Sequence, residues 1–120
     1  MAQVIVAATL DFATRENRDE AVRLTAPIQL RTREEEAGCH AYCFAADPSV
    51  PTRIQVYELW EDRGSLLAHF DHRYYAQMVQ ALRSVGIVDT WNQVWEAGDH
   101  GPVYEADGKP NAAFFAKRES

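Results

Sequence analysis

Two runs of strand-like alternation separated by a turn cluster constrain this chain more than anything else in it. From Cys39 to Ala46, Cys39, Ala41, Cys43 and Ala45 fall on one side and His40, Tyr42 and Phe44 on the other, the period of two that a strand requires. Alternation resumes from Arg53 to Glu61, and between the runs stands Asp47-Pro48-Ser49-Val50-Pro51. A pair of strands joined by about five turn residues is read as an antiparallel hairpin. In its second strand Ile54, Val56, Glu58 and Trp60 share a face. A carboxylate in that row is unusual, because an unpaired buried carboxylate costs several kcal/mol or is driven to take up a proton.

The flanking segments fit around this hairpin. Gln3 to Leu10 is β-branched, bounded by Asp11, and is read as a first strand. From Thr14 to Ala37 the residues become charged and helix-prone, with Thr14 and Asn17 as candidate caps, Gly38 as a stop and Ala21, Leu24 and Ile28 on one face. Pro27 predicts a bend near residues 23 to 27. Charges along this helix alternate in sign, the pattern of a solvated face. Asp62 and Ser65 both offer caps for a second helical stretch, starting near Arg63, that carries Leu66, Leu67, His69 and Phe70. It is expected to break near Asp71-His72, to resume through Tyr74, Met78 and Leu82, and to stop at Gly86. Ile87 to Glu96 returns to strand character.

The order is thus β-α-β-β-α-β, a ferredoxin-like α+β unit with one antiparallel sheet and helices on one face. The other sheet face is too apolar to leave wet, so a homodimer packed sheet against sheet is expected, with Val4 near the interface. Residues 1–96 form this unit. Residues 97–120 are a C-terminal extension, expected to be partly ordered through Val103-Tyr104 and Phe114-Phe115 and either to reach across the dimer or to cover a pocket.

Composition narrows the function classes. In 120 residues there are 12 basic and 18 acidic side chains, a net charge of −6 spread along the chain. A nucleic-acid partner would need a Lys/Arg stripe, and membrane surfaces are disfavoured for the same reason. No apolar run approaches the 18 or so residues of a spanning helix, and the start of the chain lacks the pattern of a signal peptide. Cys39 and Cys43 lie roughly 13 Å apart on a strand, too far to bridge. Free thiols suit a cytoplasmic protein.

No phosphate-cradling glycine motif and no nucleophile elbow is present. Cys39-His40-x-x-Cys43 has zinc-ligand residue types without a second pair to complete a tetrahedron. His69 and His72 could hold a metal with Glu58, or be one interior histidine and one at a helix end; the expectation is no metal. Trp60, Trp91 and Trp95 stand with Tyr57, Phe70, Tyr74 and Tyr75 in the second half of the unit. Such residues build a core, or the walls of a pocket for a flat organic ligand.

Thr32-Arg33-Glu34-Glu35-Glu36-Ala37-Gly38-Cys39-His40-Ala41-Tyr42, Asp47-Pro48, Tyr57-Glu58-Leu59-Trp60-Glu61-Asp62 and His69 together resemble the antibiotic biosynthesis monooxygenase family of dimeric α+β barrels. The family pattern is E-x-G-C-x-x-Y, then Y-E-x-W-x-[SD], then a histidine nine residues after the tryptophan. The likeness runs from about residue 3 to 96. It departs at Ala37, where a proline is usual. Strand one has no asparagine, His69 stands where the haem-degrading branch has tryptophan, and Val79-Gln80 stand near that branch's histidine, so haem degradation is set aside.

The resemblance implies a small cofactor-independent monooxygenase, taking O₂ and an aromatic, polyketide or quinol-type molecule. A base removes a proton from a phenol or enol, and the anion reduces O₂ directly. His69 is the first expected base and Glu58 the second, since the base needs a pKa near neutrality. Tyr57, Trp60, Phe70, Tyr74 and Trp91 are the expected substrate contacts, with the Trp60 N–H as a donor to a carbonyl. Alternatives are a non-redox isomerase, cyclase or lyase on the same scaffold, and a non-catalytic small-molecule-binding dimer.

Overall fold

A computed structural model describes residues 2–113. Its elements are β1 (Gln3–Phe12), α1 (Arg15–Glu35), β2 (Cys39–Ala46), β3 (Arg53–Trp60), α2 (Arg63–Phe70), α3 (Arg73–Val85) and β4 (Ile87–Ala97). The four strands form one antiparallel sheet in the order β2-β3-β1-β4. This is the expected ferredoxin-like arrangement, with its second helical layer divided into α2 and α3. Phe114-Phe115, expected to help order the extension, lie outside the described residues.

Local chemistry accounts for the element boundaries. Thr14 caps α1 by accepting the Asn17 N–H at 3.1 Å, and Asp62 caps α2 by accepting the Ser65 N–H at 2.8 Å. The break between α2 and α3 falls at Asp71-His72, where the His72 side chain accepts the Tyr74 N–H. Gly38 sits at φ +78°, a conformation glycine tolerates, and its carbonyl accepts the Glu61 N–H at 2.8 Å. That bond ties the start of β2 to the turn entering α2.

α1 runs on through Pro27 as a single helix. Its inner face differs from the expected one: Ala21, Thr25, Ile28, Gln29 and Thr32 are buried, while Leu24 is only half-buried. Thr25 is tolerated inside because its hydroxyl donates to the Ala21 carbonyl at 2.8 Å. Gln29 reaches the edge strand β2, accepting the Phe44 N–H at 2.9 Å and donating to the Phe44 carbonyl at 3.2 Å. One charge of the supposedly solvated face is buried too. The Arg18 guanidinium donates to the carbonyls of Asp47, Val50 and Arg53 and so clamps the hairpin loop.

The core lies between the helices and the sheet face that carries Val4, Ala8, Leu10, Phe12, Tyr42, Phe44, Ile54, Val56 and Trp60. Two expectations are corrected here. Val4 is buried on this helix-covered face, so it cannot belong to an interface on the other side. The β2 register shifts between Cys39 and Ala41, so His40 bulges out and Cys39 joins the inner face opposite Trp60. The opposite sheet face carries Ile5, Ala7, Cys43, Tyr57, Leu59, Trp91 and Trp95. No helix among the described residues covers it, and Tyr57, Trp91 and Trp95 are 46%, 49% and 45% exposed. No helix among the described residues is long and apolar enough to cross a membrane.

Candidate functional site

A cleft of about 670 Å³ opens between the helix-covered sheet face and α2/α3. Val6, Ala8, Leu10, Val56 and Glu58 form its floor; Leu66, Leu67, His69, Phe70, Tyr75, Met78 and Leu82 form its roof. Thr90, Asn92 and Val94 of β4 supply a third, more polar side. Apolar walls with a few polar groups are the usual make-up of a site for a small organic molecule.

Glu58 reaches this floor because β3 alternates, with Ile54, Val56 and Trp60 on the same face. It is 8% exposed and accepts the Trp60 indole N–H at 3.0 Å. Burial disfavours its charged form and pushes its pKa up to about 7; the indole hydrogen bond works against this and the nearby Glu36 carboxylate adds to it. Glu58 can therefore give or take a proton near neutrality.

His69 comes from the opposite wall. Asp62 starts α2, and Leu66 and His69, three apart, become its two buried side chains. The imidazole is held on several sides. Trp60 lies against it with centroids 4.6 Å apart and planes at 35°, and Tyr42 and Tyr75 meet it edge-on, each at 5.3 Å. Its Nδ1 is 2.8 Å from Glu36 Oε1, a pair with both side chains almost wholly buried. Burial pulls the His69 pKa below its ordinary value, and the Glu36 carboxylate opposes that pull. Burial likewise raises the Tyr42 phenol above its usual range, so it stays protonated.

The expected site residues therefore separate into groups. His69, Glu58 and Phe70 line the cleft. Trp60 is fully buried behind His69 with its N–H committed to Glu58, so it backs the site and has no free donor for a substrate carbonyl. Tyr74 turns toward α1, its hydroxyl donating to Glu35 at 2.7 Å. Tyr57 and Trp91 pair with Ala7 and Thr9 and point to the uncovered sheet face. A period of two sends odd-numbered residues of β3 away from Glu58, and Trp91 follows the same logic on β4.

Two contributors were given no role by the sequence reading. Glu36 and Tyr42 both lie within the E-x-G-C-x-x-Y stretch, which was the available signal. Tyr75, grouped with the other aromatics, was not linked to His69, because it follows a helix break across which no periodicity relates the two. Among the described residues, no group of three His, Cys, Asp or Glu side chains is placed to hold a metal ion. His72 is occupied as the cap of α3.

The antibiotic biosynthesis monooxygenase family model matches residues 3–81, which run from β1 into α3 and include the whole Glu36–Glu58–His69 constellation. The chain belongs to this family. Among solved structures it is similar to a candidate antibiotic biosynthesis monooxygenase from Deinococcus radiodurans, at 28% identity, covering 80% of this chain and 93% of that one with a TM-score of 0.71. It also shares its fold with a candidate antibiotic biosynthesis monooxygenase from Caulobacter crescentus CB15, at 17% identity, covering 82% and 92% with a TM-score of 0.74. No curated protein matches the chain. Membership of the family supports a general small-molecule function for this fold.

Proposed function

We propose that the protein is a cofactor-independent monooxygenase of an aromatic, polyketide or quinol-type small molecule, working as a cytoplasmic homodimer. The observation that carries this is the meeting of two proton-transfer groups, His69 and Glu58, on the walls of an apolar cleft large enough for a flat polycyclic molecule. His69, unprotonated at neutral pH because it is buried, removes a proton from a phenol, enol or activated CH₂. Phe70 and Tyr75 lie along the ring plane, and Asn92 and Thr90 meet its oxygens. The resulting anion transfers its electrons to O₂ and forms a C–O bond. The peroxide takes up a proton, for which Glu58 is the donor, and loses water: R₂CH₂ + O₂ gives R₂C=O + H₂O.

The second copy covers the face that carries Tyr57, Trp91 and Trp95. Exposed aromatic area of this kind supports that reading. The extension beyond residue 97 crosses to the partner, offering the exposed Val103 and Tyr104 at its turn. Both cysteines are free, as a reducing compartment would keep them.

The test is oxygen uptake with anthrone- and quinol-type substrates in metal-free buffer. Uptake is expected in the wild type and in the surface variant Arg31→Ala, and is expected to be lost in His69→Ala. Turnover that continues without oxygen would replace this reading with an isomerase, cyclase or lyase. The absence of any ligand-induced rise in melting temperature across an aromatic library would leave a protein without this chemistry.

A further inference from the structure

The proposed oxygenation needs a base with its lone pair facing the substrate, and His69 alone does not guarantee that, because a neutral imidazole carries its proton on either nitrogen. We infer that Glu36 is the positioning residue of the site: its buried carboxylate holds the proton on His69 Nδ1 and so presents the Nε2 lone pair to the cleft. This inference rests on the catalytic reading above and adds a residue to it.

The geometry is specific. Glu36 is the residue that ends α1, its backbone N–H still donating to the Thr32 carbonyl at 3.1 Å. The chain leaves the helix there, and the side chain turns inward instead of joining the exposed acidic row of Glu34 and Glu35. Oε1 meets His69 Nδ1 at 2.8 Å. Oε2 is buried with no hydrogen-bond partner among the described residues, 3.8 Å from His72 Nδ1. A half-satisfied buried carboxylate is costly, and it is tolerated at functional sites more often than elsewhere. Nδ1 is thus committed. Nε2 makes no hydrogen bond within the described protein, and His69 is a wall residue of the cleft.

The proton transfer is simple: the substrate O–H or C–H bond breaks, Nε2–H forms, and the charge of the imidazolium is offset by Glu36. The other titratable groups around the ring are Tyr42 from β2, Glu58 from β3 by way of the Trp60 ring, and His72 and Tyr75 from the start of α3. None of these meets Nδ1 at hydrogen-bonding distance. Glu36 is therefore the group that decides the tautomer.

The experiment is nitrogen-15 NMR of the full chain labelled at histidine, which reads the tautomer without any substrate. His69 should show a protonated Nδ1 and an unprotonated Nε2 above its pKa. In Glu36→Leu the Nε2–H form should appear. In Glu36→Gln, which keeps the volume, the His69 pKa should fall, and with it the acidic limb of the kcat profile should move to lower pH. Its kcat should drop on the order of 10²-fold with KM little changed. Circular dichroism confirms that each variant is folded, and Glu36→Gln keeps the test valid if Glu36→Leu is not. A wild-type His69 carrying its proton on Nε2, or a tautomer and pKa indifferent to both substitutions, overturns the inference. The oxygenase reading is judged separately, by turnover in His69→Ala, so the two can fail independently.

Discussion

Trp60 donates its indole N–H to the carboxylate of Glu58, two residues earlier on the same strand, at 3.0 Å. Because both side chains face the helices, this bond is made inside the protein, and among the described residues it is the one hydrogen bond the Glu58 carboxylate receives. The bond is not enough to keep the carboxylate at its usual pKa, which rises from 4.5 to about 7. Between those values the unfolded chain releases the Glu58 proton while the folded chain keeps it, so stability falls as pH rises from 4.5 to about 7 and then levels off. Glu58→Gln, which still accepts the indole N–H, should be nearly neutral at pH 4.5 and stabilising at pH 8 by roughly 3 kcal/mol, at about 1.4 kcal/mol per pKa unit. Urea titrations at the two pH values check this, and equal effects at both would show that Glu58 titrates normally. The same variant should lose turnover, since a site group held at a cost is one that function retains.

Gln29 acts as a substitute neighbour for the sheet edge. β2 has β3 on one side only, and the Phe44 N–H and C=O that face away from β3 are met by the Gln29 amide. Gln29→Leu keeps the volume but strands two buried backbone groups, which should cost about 2–4 kcal/mol. Equilibrium denaturation measures it. A loss under about 0.5 kcal/mol would mean that water replaces the amide.

At Gly38 two requirements coincide. The backbone has φ +78°, and an added Cβ would run into the Cβ and Oγ of Ser65. Gly38→Ala should therefore destabilise by at least about 2 kcal/mol, more than the loss of left-handed freedom alone would cause. Ser65→Gly in the same chain should recover part of that loss. No recovery would assign the whole effect to the backbone. Because this contact seats the first turn of α2, the single variant should also weaken any ligand held near His69.

A charge on the uncovered face should separate copies without unfolding them. Trp91 is half-exposed and contributes nothing to the core, so Trp91→Asp should leave the circular dichroism spectrum intact while lowering the mass found by analytical ultracentrifugation from two chains to one. Val4→Asp, by contrast, should unfold the chain, because Val4 is buried under the helices. A wild-type protein that sediments as one chain at micromolar concentration would end the dimer proposal.

Particular residues show how far the sequence could be read. The face shared by Ile54, Val56, Glu58 and Trp60 was legible from spacing alone, and so was the strained position of Glu58, because alternation on a strand leaves no other place for a residue two before a buried tryptophan. His69 was legible through the family pattern and its register with Leu66 on α2. Cys39 was misplaced by a single bulge at His40, which local composition does not announce. Tyr57 and Trp91 were counted as pocket walls because they are aromatic and close in sequence to real ones. Parity along the strand, which decides the face, outweighs nearness in sequence.

What the amino-acid order determined by itself is therefore the periodic part: four strands, the helices that join them, their candidate caps and stops, and the shared face of Ile54, Val56, Glu58 and Trp60. These depend on contacts within a few residues, where backbone geometry leaves few choices. What only the tertiary structure decided is which side chains meet. Glu36 and His69 are 33 residues apart and sit at the ends of different helices, yet their atoms lie 2.8 Å from each other. The exit direction of the chain after Glu36, the Gly38 turn and the seating of α2 on it jointly set that distance. No periodicity encodes it, because a long-range contact is fixed by the packing of whole elements and not by the preferences of the two residues that make it.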